Sequence, residues 1–173
     1  MSDTLMTVIA IFLSAILLFI FPLMSISERK DDISQSVVQT ATSEFVDEIS
    51  ISGKITPIAY ETYVQKISAT GDTYEVEMEV QHIDENPGKK VTSTASDLIG
   101  ENIRYSTFTT EILDNMSSEE PYLLKKGDNV IVTVKNTNKT MAEQLRTVFY
   151  KITGKNTYQI AASSSSMVVN TGK

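Results

Sequence analysis

LMTVIAIFLSAILLFIFPLMSI, the stretch from Leu5 to Ile26, runs for 22 residues without a charged side chain. At a rise of about 1.5 Å per helical residue it covers roughly 30 Å, the thickness of a bilayer's hydrocarbon core. Ser27 and the charged cluster Glu28-Arg29-Lys30-Asp31-Asp32 follow at once. Residues 1–27 are therefore expected to form a transmembrane anchor, with the rest of the chain tethered to it. A secretory signal would carry a basic n-region and a shorter apolar core of about 7–15 residues. Met1-Ser2-Asp3-Thr4 contains no Lys or Arg, so a permanent anchor is expected, although Ser25-Ile26-Ser27 has the form of a small-x-small cleavage site. Pro22 removes one helical hydrogen bond and favours a kink, which a bilayer tolerates when a neighbour satisfies the freed carbonyl. Ala10 and Ser14 form a small-xxx-small pair that permits close helix approach.

The helical pattern does not stop at the charged cluster. Ile33, Val37, Ala41, Phe45 and Ile49 recur every four residues, with Val38 and Val46 beside them. This is an apolar stripe of helical period, and Gly53 is its C-cap candidate. A helix continuous from the membrane to about Ile51 would be about 70 Å long. Residues 28–53 then read as an amphipathic stalk, whose stripe from Ile33 to Ile49 packs on a head formed by residues 54–173.

Within the head, Thr56-Pro57 starts a helix with Thr as N-cap and Pro in the first turn. Tyr60, Val64 and Ile67 mark its apolar face, and Gly71 closes it. From Thr73 to Ile83 the residues alternate: Tyr74, Val76, Met78 and Val80 on one side, Glu75, Glu77, Glu79 and Gln81 on the other. That is a half-buried strand. Asn86-Pro87-Gly88 and Lys126-Gly127-Asp128 are turn chemistry. Residues Ile103–Leu113 are ambiguous, with a short helix expected near Phe108–Leu113. A second strand is expected over Asn129–Lys135. Thr140 and Glu143 have capping-box spacing ahead of a helix with Met141, Leu145, Val148, Phe149 and Ile152 on one face, ended by Gly154. A last strand follows over about Thr157–Val169. Strand, helix and strand at this length suggest a crossover unit with parallel strands. The expected fold is α+β: a long N-terminal helix on a small head with a roughly three-stranded sheet and two or three helices.

Composition narrows the chemistry. The chain has 173 residues, enough beyond the anchor for one domain. It contains no Cys, which removes disulfides, thiol nucleophiles and thiolate metal sites. The net charge of −7 argues against nucleic acid and anionic lipid as partners. A single histidine, His82, excludes a multi-histidine metal site, and by alternation it shares the side of Val80 as a partly buried or rim residue. Glu75, Glu77 and Glu79 put three carboxylates on one strand face; hard cations take such ligands, but a solvated face is the simpler reading. No phosphate-cradling glycine loop is present. The expectation is a protein that is not an enzyme and holds no metal or cofactor.

An N-terminal apolar helix running on as an amphipathic stalk into a small α+β head resembles type IV pilin-like proteins. Pro22 falls where pilins often carry a proline that loosens the helix. Asp31-Asp32-Ile33, Phe45-Val46-Asp47 and Tyr74-Glu75-Val76-Glu77-Met78-Glu79 look like small anchored proteins of tight-adherence (Tad/Flp-type) pilus clusters in Gram-positive bacteria, the TadE-like minor pilins or pseudopilins. The resemblance covers most of the chain. It implies assembly through the N-terminal helix (Asp3, Leu5, Ala10, Leu13, Ser14, Ile16, Pro22), partner pilin or pseudopilin subunits and assembly machinery, and a head outside the cell, and it allows a homo-oligomer. No leader ending in glycine precedes the span, and Leu5 stands where mature pilins usually have glutamate. The nearest acid is Asp3, which would pair with a neighbour's N-terminal amine; otherwise the chain is a pilus-associated membrane component and not a polymerised subunit. Arg29 and Lys30, read by the positive-inside rule, favour a cytoplasmic head instead. The competing classes are a membrane-anchored binding module, such as a sensor, adhesin or secretion accessory, and an anchored hydrolase.

Overall fold

A single helix, α1, runs without a break from Ser2 to Ser52 and passes through Pro22. The computed structural model describes residues 2–84, 104–116, 120–150 and 159–172. The Asn86-Pro87-Gly88 turn, Ile103, Ile152 and the Gly154 stop lie outside them. Behind α1 come the short strand β1 (Lys54–Ile55), helix α2 (Pro57–Ser68), strand β2 (Tyr74–Ile83), strand β3 (Arg104–Phe108) and helix α3 (Thr109–Asn115). The short strand β4 (Tyr122–Leu123), strand β5 (Asn129–Asn136), helix α4 (Met141–Tyr150) and strand β6 (Ala161–Met167) complete the order. The class is α+β, a long helix packed on a small head. The sheet is larger than expected: four strands in the order β3-β2-β5-β6, plus a separate β1-β4 ribbon.

Every pairing in the main sheet is antiparallel, including β5 with β6, where Lys135 lies opposite Ala161 and Asn129 opposite Met167. The expected parallel crossover is therefore wrong. A crossover helix must travel back along the sheet. α4 does not: it sits beyond the end of β5, packs on α1, and the chain re-enters beside the strand it left. Its buried residue is Ala142, whereas Met141, expected on the inner face, is exposed.

The inner face of the sheet presents Met78, Val80, Val130, Val132, Val134 and Ala162, all buried. Against it α1 lays Val38, Ala41, Phe45, Val46 and Ile49, also buried. The stripe that packs is not a pure four-residue repeat. Buried positions on α1 fall at Ser27, Asp31, Ser34, Val38, Ala41, Thr42, Phe45, Val46, Ile49 and Ser50, a band that widens to two adjacent rows from Ala41 onward. At about 100° per residue, steps of four alone precess, so Ile33 lies about 160° around the helix from Ile49. Accordingly Ile33 is 59% exposed and Val37 only half-buried, while Ala41, Phe45 and Ile49 pack as expected.

α1 ends at Gly53, whose φ of 70° suits the left-handed C-cap position and whose N–H reaches the Ile49 carbonyl at 2.9 Å. A Cβ there would lie 2.2 Å from the Asn170 carbonyl oxygen, so glycine is also needed to let the segment after β6 pass. Carbonyls near the end of α1 are taken up by that segment: Val169 N–H donates to Ser50 O (3.0 Å) and Asn170 Nδ2 to Ile51 O (2.9 Å).

Truncation at the two kinds of stripe position should separate sharply. Ile49→Ala removes a fully buried side chain and is expected to cost about 2–5 kcal/mol. Ile33→Ala in the same helix should cost less than about 0.5 kcal/mol. Urea denaturation of the full chain in detergent checks both.

Candidate functional site

The N-terminal half of α1 is long and apolar enough to cross a membrane, with a mean hydropathy of 2.7 over its most apolar window. None of that window is buried against the rest of the protein. Asp3, Leu5, Ala10, Leu13, Ser14, Ile16 and Pro22 are all exposed along it. Its hydroxyls are satisfied within the helix: Thr7 Oγ1 donates to Asp3 O and Ser14 Oγ to Ala10 O, both at 2.7 Å. A polar group surrounded by hydrocarbon has no other partner to hand. Ser14 thus engages its own backbone, and the groups it spends are those that would bond a neighbouring helix.

The head begins to grip α1 immediately above this span. Ser27 is buried, with its Oγ donating to Leu23 O (2.9 Å). Arg146 of α4 makes a two-nitrogen contact with Glu28 Oε1 (3.1 and 2.7 Å). Thr140 Oγ1 donates to buried Asp31 Oδ2 (2.6 Å) and also accepts from Glu143 N–H (3.2 Å), so the capping threonine ties helix start to stalk. Lys30 lies 3.9 Å from Asp72. Gln35 treats Ala161 as a strand would: its Nε2 donates to the Ala161 carbonyl (2.6 Å) and its Oε1 accepts the Ala161 N–H (3.0 Å). The third of the interface next to the apolar run is therefore polar and the far part apolar.

At the distal end Phe45 stacks on Tyr63 of α2, with ring centroids 4.5 Å apart and planes 4° from parallel. The Tyr63 hydroxyl meets Thr42 Oγ1 at 3.0 Å. Burial pushes the Tyr63 phenol up to about 12, the neighbouring Tyr60 adding to this and the Thr42 bond opposing it.

His82 is no rim residue. It is buried among three strands and the turn before β5, with Nδ1 2.8 Å from Asp128 Oδ2 and Nε2 3.0 Å from the Tyr122 hydroxyl. Asp128 is 1% exposed and its Oδ2 also accepts the Lys125 N–H at 2.8 Å. A carboxylate only accepts, so the His82 Nδ1–H donates to Asp128. The Tyr105 ring of β3 lies 5.1 Å from the imidazole. Burial raises the Tyr122 phenol, with a Thr107 hydrogen bond opposing. The His82–Asp128–Tyr122 arrangement joins separate elements of the head. It ties β2 to the β4 ribbon and to the turn entering β5. Sequence reading missed it because Lys126-Gly127-Asp128 registers as a turn, and nothing local marks Asp128 as a buried acceptor.

Among the described residues no group of three or more His, Asp or Glu side chains converges to hold a metal ion. Glu75, Glu77 and Glu79 lie on the outer face of the sheet; Glu77 is 3.5 Å from Lys135, and Glu79 accepts from Ser106 Oγ (2.6 Å) and Gln81 Nε2 (3.0 Å). Compared with protein families, curated proteins and solved structures, the chain matches none.

Two measurements check this region. Asp128→Ala strands the His82 Nδ1 and the Lys125 N–H and is expected to cost about 1–3 kcal/mol. A double-mutant cycle with His82→Ala in urea denaturation should give a clear coupling energy. Tyr63 predicts a loss of stability in alkali. Its folded pKa lies above the ordinary value near 10, so the unfolded chain loses the proton first and stability falls between pH 10 and about 12. Tyr63→Phe should flatten that slope.

Proposed function

We propose that this chain is a membrane-anchored, pilin-like structural or assembly subunit of a Tad-type, type IV-like surface filament, with residues 5–26 in the bilayer and the head outside the cell. One observation carries the reading. A single continuous helix has two halves of opposite character: the upper is buried across a four-stranded antiparallel sheet, the lower is apolar and bare. A bare apolar helix rigidly joined to a head can exchange lipid for the helices of neighbouring subunits and keep its apolar surface from water, at about 25 cal/mol per Å² retained. Leu5, Leu13 and Ile16 then form the contact surface, and Asp3 is the acid nearest the N-terminus. Arg29 and Lys30 are too few to hold in the cytoplasm a head of this size, since large domains translocate largely regardless of such charge.

The same architecture also suits an anchored binding module, in which the span only localises the head; the open outer sheet face favours that second reading. Exchange of residues 1–27 for an unrelated span separates the two, since a filament subunit loses incorporation and a binding module keeps its function. Leu13→Arg or Ile16→Asp is expected to remove the protein from the sheared-filament fraction while the head stays folded by protease resistance. Unchanged incorporation would sink the filament reading. Intact-mass analysis of the native protein adds an independent check: a chain beginning near Glu28 would mean ordinary secretion.

A further inference from the structure

β2 is ten residues long, but β3 pairs only with its second half, from Glu79 to Ile83. β3 ends at Phe108, where the chain turns into α3. The first half of β2 therefore has β5 on one side and no strand among the described residues on the other. The direction of its backbone is fixed by Met78, whose N–H donates to Thr109 Oγ1 (2.7 Å) and whose carbonyl accepts from the same hydroxyl (3.2 Å). Residues two apart in a strand send their N–H and C=O to the same side. Val76 and Tyr74 thus direct their backbone groups to this unpaired edge. Thr109 closes the edge at Met78, and beyond it no strand among the described residues continues the ladder.

A groove of about 560 Å³ follows this edge, lined by β2 from Glu75 to Glu79, by Ile131 and Thr133 of β5, and by Phe108 to Thr110. Phe108 is 60% exposed and offers an apolar shelf. Glu75, Glu77 and Glu79 stand at alternate positions along the outer face, about 7 Å apart, which is the side-chain repeat of an extended chain. Hydrogen bonds from Ser106 and then Gln81 hold the Glu79 carboxyl below its ordinary range, so that end of the row stays charged.

We infer that this half-edge of β2 is a docking site for an extended peptide segment carrying lysine or arginine at alternate positions, added as a strand in line with β3. Backbone bonds to Val76 and Tyr74 supply the pairing, and the carboxylate row supplies selection by charge. The register follows from the geometry. A basic residue opposite Glu77 belongs to a non-hydrogen-bonded pair, because the Glu77 backbone points to β5. The residue opposite Val76 makes both backbone bonds.

The probe is a synthetic heptapeptide, acetyl-Thr-Lys-Val-Lys-Val-Lys-Thr-amide, titrated onto the full chain in nanodiscs of zwitterionic lipid. Saturable binding that weakens with salt is expected. Glu77→Lys should weaken it by about tenfold or more, with the thermal unfolding of the variant confirming an intact fold. N-methylation of the two valine amides should abolish binding, whereas N-methylation of the lysine amides should leave it nearly unchanged. This second comparison alters only the peptide, so no folding defect can imitate it. Absence of saturable binding, equal binding of the valine-methylated peptide, or indifference to Glu77→Lys would each overturn the inference. None of these outcomes depends on whether the N-terminal helix assembles into a filament.

Discussion

The contact between the distal half of α1 and the inner face of the sheet is the constraint on which the rest of the molecule depends. A four-stranded antiparallel sheet with one apolar face has no stability until something covers that face. Among the described residues the one long element available is the helix that also emerges from the apolar span. Val38, Ala41, Phe45, Val46 and Ile49 cover Met78, Val80, Val130, Val132 and Val134. α2 is then held through the Phe45–Tyr63 stack, and the segment after β6 through carbonyls near the end of α1. Losing this contact would expose both partners at once, so the helix serves the head as core and the span as extension.

The polar third of the interface plays a different part. Glu28, Asp31 and Gln35 add geometry more than energy: part-exposed ion pairs such as Glu28–Arg146 contribute about 0–1 kcal/mol. They do fix where α4 and the start of β6 sit along α1. Gln35 in particular closes one backbone pair on an edge strand that would otherwise invite association. The opposite edge has one such guard, Thr109 at Met78, and among the described residues no strand pairs with it from Tyr74 to Glu77, so the two edges of this sheet present different surfaces to solution.

Much of this was legible in the chain. The unbroken apolar run, the Thr56-Pro57 start, the alternation of Tyr74–Ile83 and the Gly53 stop all carry strong local signals, and each element lies where those signals put it. What escaped has a physical reason. The serine-rich Ala161–Met167 forms a strand through pairing with β5 and not through its own alternation, so neither its short extent nor its direction could be read locally. α4 shows a helical stripe, but periodicity does not say that a helix packs beyond the sheet's end. Ile33 drops out of the buried stripe because repeated steps of four drift around a helix. The His82–Asp128–Tyr122 network joins residues 46 and 40 apart from His82, and separations of that kind leave no local trace.

The continuity of α1 through Pro22 makes the molecule a lever. From Ser27 to Ser52 the helix extends about 38 Å, with the head fixed along it. Transmembrane helices tilt by about 20° on average, and at that angle the far end of α1 is displaced by about 13 Å parallel to the membrane surface. On the membrane-spanning reading, bilayer thickness and the packing of neighbouring spans would set where the distal loops and the sheet edge point. A change of lipid environment alone would then re-aim the head without altering any contact within it.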